Sequence, residues 1–153
     1  MWLRYAVLGV ALLACGSEPR SARQAVSSDG TVAESLRFTL IVPPRARVGA
    51  AVPITLRLTN PSAQPIEARF LGREIAFDVV VVDRAGRPVW RRLADRAIPS
   101  ILRLQVLAPG ETLEWQAEWR AARTGRYRVQ GVLPSDDPEP RRTAWAEIEI
   151  TRR

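Results

Sequence analysis

The sequence predicts an all-β domain of the antiparallel sandwich class, and three observations carry that prediction. Apolar and polar residues alternate at period two in segment after segment from Ser35 onward. Twelve prolines and nine glycines are spread along the chain as turn signals between those segments. No apolar stripe of helical period and comparable length competes with them. A chain of 153 residues with 46% apolar content has room for one core of ordinary size, placed here over residues 35–153.

The elements follow in order. Leu36, Phe38, Leu40 and Val42 alternate with Arg37, Thr39 and Ile41 until Pro43-Pro44 stops the run. Val52, Ile54, Leu56 and Leu58 alternate up to the turn dipeptide Asn60-Pro61. Ile66, Ala68 and Phe70 repeat the scheme, and residues 76–82 (AFDVVVV) are almost continuously apolar, as in a strand covered on both faces. A Gly86-containing turn leads into Pro88-Val89-Trp90 as the return arm of a hairpin. Residues 93–98 hold the strongest candidate for a helical turn. Leu102, Leu104 and Val106 alternate next, then Leu113, Trp115, Ala117 and Trp119 after the turn Ala108-Pro109-Gly110-Glu111. Tyr127, Val129 and Gly131, then Ala144, Ala146, Ile148 and Ile150, close a series of about eight or nine short strands. Gly125-Arg126-Tyr127 admits two readings, a tyrosine corner or ordinary core packing of the ring.

Ahead of this domain, Arg4 precedes the apolar run Ala6-Val7-Leu8-Gly9-Val10-Ala11-Leu12-Leu13-Ala14. That pattern is a secretory signal, and the run is about half the roughly 20 residues that cross a bilayer. Leu12-Leu13-Ala14-Cys15 resembles the bacterial lipobox: a small residue fits the signal peptidase, and the thiol takes the lipid. The expectation is a signal peptide over 1–14, a lipidated Cys15 and a flexible tether over 15–34 rich in Ser, Gly, Ala and charge. The protein is then exported and anchored to the bacterial cell envelope.

Composition narrows the function. The net charge of +7 comes entirely from Arg, interleaved with 16 acids along the whole chain rather than gathered on one face. A nucleic-acid partner is not expected from that distribution. The chain has no His and a single Cys, which removes the commonest general base and metal ligand and any internal disulfide. No catalytic residue, metal, cofactor or small-molecule substrate is expected.

The order of motifs resembles the BsuPI family of proteinase inhibitors. It is carried by Asn60-Pro61-Ser62, Phe70, residues 76–83, Gly86, Val89-Trp90, residues 107–111, Trp119 and residues 125–129, across about Val48 to Leu133. The resemblance implies an immunoglobulin-like sandwich and a protease as partner. Thr124 stands where the family typically has Pro, after a short loop Arg120-Ala121-Ala122-Arg123. Export places any target protease in the envelope or outside it. A rigid sandwich would inhibit by presenting one extended loop, and residues 93–100 and 134–142 are the candidates.

Asp136-Asp137-Pro138-Glu139 is acidic but lacks the spaced ligands and central Gly of a calcium loop, and reads as a solvated hairpin tip. Trp145 sits between Ala144 and Ala146, out of phase with the Ala-Ile face, and is the candidate protein-contact residue. The alternative to an inhibitor is therefore a non-inhibitory module that docks on another envelope protein.

Overall fold

The computed structural model describes residues 36–135 and 139–152, and among these it is built of strands and turns with no helix. In chain order the strands are β1 (Arg37–Ile41), β2 (Arg45–Arg47), β3 (Ala51–Thr59), β4 (Ile66–Leu71), β5 (Asp78–Asp83) and β6 (Pro88–Arg91). They continue with β7 (Leu102–Leu107), β8 (Thr112–Arg120), β9 (Gly125–Leu133), β10 (Arg141–Arg142) and β11 (Ala146–Thr151). One sheet has the order β1-β3-β8 and the other β2-β11-β9-β5-β6, with β10 also on β9; β4 and β7 pair as a separate ribbon. Every pairing is antiparallel except the short parallel one between β2 and β11. This is an immunoglobulin-like β-sandwich.

Alternation decides which side of each strand is buried. In β3, Val52, Ile54, Leu56 and Leu58 face inward and stand opposite Trp119, Ala117, Trp115 and Leu113 of β8. The outer face of the same pair carries the Arg57–Glu114 ion pair at 2.8 Å and the Thr59–Thr112 hydroxyl contact at 2.9 Å. Val79, Val81, Val129, Ile148 and Ile150 supply the facing side of the core from the second sheet. The sheets approach so closely at Gly131 that a β-carbon there would collide with the methyl groups of Leu56. Strand β5 buries both faces, as its continuous apolar run implies.

The period-two pattern holds in β7, but its apolar set points the other way. Leu104 and Val106 are 53% and 60% exposed and Leu102 is exposed beside them, while Leu107 enters the core. The inward side of the ribbon comes from Ile66, Ala68 and Phe70 of β4, which leaves the β7 row to solvent. Of residues 93–98, only the first part forms hydrogen-bonded turns, through Ala94 to Arg91 and Arg96 to Leu93; residues 97 and 98 are irregular, and no helix forms. Strands β2 and β10 have no counterpart among the alternating segments.

Two polar ties hold the strand crossings. Tyr127 is a tyrosine corner: its hydroxyl donates to the Arg123 carbonyl at 3.0 Å while the ring meets Trp119 edge-on at 5.1 Å. Tyr127→Phe keeps the ring and loses the tie, so urea unfolding is expected to show a loss of about 1 kcal/mol. Unchanged stability would mean that ring packing alone fixes the corner. Asn60, wholly buried at the end of β3, donates from Nδ2 to the carbonyls of Gln64 and Leu107 at 2.7 and 2.9 Å. Its Oδ1 accepts from the Ser62 amide and hydroxyl, and its backbone bonds Glu111 and Gly110.

Candidate protein-contact site

Three regions expose chemistry that the core does not consume. The first is the segment between β6 and β7, which is built outward from a buried carboxylate. Asp78 opens β5 with its side chain 1% exposed, and its Oδ1 accepts from the amides of Val79 and Leu93, each at 2.9 Å. Oδ2 accepts from Nε of Arg91, whose side chain is half in solvent. Arg92 stacks 3.6 Å above the Phe77 ring and donates to the Phe77 carbonyl at 2.7 Å. Burial is the main cause that lowers the Arg92 pKa from its ordinary value, and the neighbouring charge of Arg96 adds to it. These bonds fasten the start of the segment to the sandwich. Its far end is fastened where the Gly72 amide donates to the Ile101 carbonyl at 2.9 Å. Between the two ties lies a groove of about 360 Å³ lined by Gly72, Ile75, Ala76, Leu93, Ala97 and Ile98.

The second region is Trp145. It is 42% exposed, as its phase in the sequence implies, and the Arg128 guanidinium sits 5.3 Å from the ring centre. An exposed indole capped by one arginine is a surface that a partner could cover. The third region is the hairpin tip between β5 and β6. Asp83 accepts from the amides of Ala85 and Arg87 at 2.9 and 3.0 Å and pairs with the Arg87 guanidinium at 2.8 Å. The backbone bond from Arg87, followed by its side-chain bond, holds the Asp83 carboxyl below the usual aspartate range. That turn is stabilised by its own residues, with the charges of Asp83 and Arg87 paired to each other.

Cys15, the expected signal over 1–14 and the expected tether over 15–34 lie outside the described residues, as do Asp136, Asp137 and Pro138. Among the described residues no three His, Cys, Asp or Glu side chains gather as a metal set, and no helix is long and apolar enough to cross a membrane. The fastening role of Asp78 was not read from the sequence, although one acid inside an apolar run was a visible signal for it.

A protein-family model described as "BsuPI: Intracellular proteinase inhibitor" matches residues 43–137, enclosing the stretch from Val48 to Leu133 that carries the motif order. No curated protein matches the chain in sequence. Among solved structures, a β-glucosidase from Listeria innocua aligns with 75% of this chain at 14% identity and a TM-score of 0.42. The chain spans only 16% of that enzyme's length. The CARDB domain of a Pyrococcus furiosus protein aligns over 78% of this chain and 96% of its own, at 11% identity and a TM-score of 0.46. The alkylpurine DNA glycosylase AlkC from Pseudomonas fluorescens aligns over 78% of this chain and 31% of its own, at 17% identity and a TM-score of 0.44.

Proposed function

The chain belongs to the BsuPI family of intracellular proteinase inhibitors, and from that premise we propose that it is an exported inhibitor, held by a lipidated Cys15 on the bacterial envelope and directed at a serine protease there. The family match over most of the folded domain is the observation that supports inhibition. The signal and lipobox pattern around Ala14-Cys15 supports the anchor. Inhibition by such a domain needs no reacting group of its own. A stiff sandwich holds one extended segment in the shape that a protease cleft binds, so little ordering entropy is lost on association.

Titration of the full chain against subtilisin-like and trypsin-like serine proteases tests the reading. Stoichiometric loss of protease activity is expected, and no inhibition of either class would overturn it. The anchor is tested apart from the inhibition. Mass spectrometry of the membrane fraction should find an acylated Cys15 at the mature N-terminus, and Cys15→Ala should release the chain. An unmodified Cys15 would leave the inhibitor without its lipid.

The exposed Trp145 favours a second reading, a non-inhibitory docking module on another envelope protein. A partner captured from membranes by the full chain, and lost on Trp145→Ala, would support it.

A further inference from the structure

Building on the inhibitory reading above, we propose that residues 95–100 (DRAIPS) form the segment that enters the protease cleft, with Arg96 in the primary pocket of a trypsin-like enzyme. The segment leaves its turn at Asp95, a non-glycine residue at φ 60°, after the Arg96 amide has donated to the Leu93 carbonyl at 3.1 Å. It rejoins the fold at Ile101, tied to Gly72. Residues 97–100 lie between these points outside any strand, and their backbone groups make no hydrogen bond among the described residues. The carbonyls of residues 97–100 and the amides of Ala97, Ile98 and Ser100 are thus unpaired among the described residues, and unpaired backbone of this kind is what a protease pairs with along its substrate cleft.

The segment is also stiff. Half-buried Ile98 lines the groove with Ile75 and Leu93, and Pro99 fixes its own φ. Fastened at both ends and wedged in the middle, it loses little freedom on binding. Arg96 is exposed, has no ion pair among the described residues, and has the cationic Arg92 among its charged neighbours, with Arg73 and Glu74 on the same groove. A guanidinium so placed is free to meet a carboxylate of a partner. The base of a trypsin-like primary pocket carries one.

One six-residue segment does not fill a protease–inhibitor interface of about 800 Å² per partner. The chain supplies more area next to it. Directly after the segment, β7 exposes Leu102, Leu104 and Val106 in a row, an apolar strip that the rim of a cleft would cover.

The test is inhibition of trypsin and of subtilisin by the full chain and by Arg96→Ala and Arg96→Leu. Trypsin should be inhibited, Arg96→Ala should weaken this by about 100-fold at unchanged thermal stability, and Arg96→Leu should move inhibition toward subtilisin. Inhibition of either enzyme that is indifferent to both Arg96 substitutions would overturn the segment and leave the inhibitory reading standing. If the unaltered chain inhibits neither enzyme, the inhibitory reading falls and takes the segment with it.

Discussion

Asn60→Ala is expected to lower stability by about 3 kcal/mol, read as a fall in unfolding midpoint on the order of 10 °C. The side chain joins two crossings at once. Strand β3 leaves its sheet for β4 through residues 60–65, and β7 returns to β8 through residues 108–111; Nδ2 reaches the Leu107 carbonyl that ends β7. Removing it orphans that buried carbonyl, loosens the Ser62 turn and opens a small cavity beside residues that no water reaches.

Asn60→Asp separates the hydrogen bonds from the packing. It keeps the acceptor for Ser62 but sets a carboxylate against the carbonyl oxygens of Gln64 and Leu107. Burial and those oxygens raise the folded pKa of the new acid above its unfolded value of about 4. The stability of this variant is then greatest below that value and falls as pH rises through the folded pKa. Unfolding midpoints at pH 4 and pH 7 check it. If Asn60→Asp matches the parent at both, the amide donor contributes nothing.

How much of this was legible beforehand differs by residue. The strands of the sandwich were, because each is long enough to show period two: Val52 to Leu58 and Leu113 to Trp119 name both faces of the central pair without further help. Strands β2 and β10 were not, since three and two residues carry no period; β2 exists only through pairing with the distant β11, and β10 only through pairing with the preceding β9. Alternation in β7 showed a strand but not which side is inward, because that depends on β4 covering the core from across the ribbon. Asn60 read as a turn residue, which it is. Its second role, reaching the end of β7, needs a chain neighbour 47 positions away. Trp145 was placed outside the core by phase alone, whereas Arg96 became distinctive only once both ends of its segment were seen tied down.

The second large effect is expected at Asp78, and it joins stability to the proposed contact. Asp78→Ala removes an acceptor from two amides and a buried counter-charge from Arg91, for a loss of about 3 kcal/mol. Asp78→Asn should lose only about 1 kcal/mol, because its side-chain oxygen still accepts from Val79 and Leu93. Arg91→Ala should fall between the two, since the Asp78 carboxylate, 1% exposed, keeps both amides but loses its counter-charge. Denaturant unfolding gives that order. The same three variants grade how firmly Leu93 is held, and Leu93 begins the segment that presents Arg96. At a temperature where all remain folded, trypsin inhibition should fall most for Asp78→Ala and little for Asp78→Asn. An equal loss in both would mean that the Arg91 charge matters and the Leu93 tie does not. Parent-level inhibition by folded Asp78→Ala would show that the segment needs no fastening, and stiffness could no longer account for its binding.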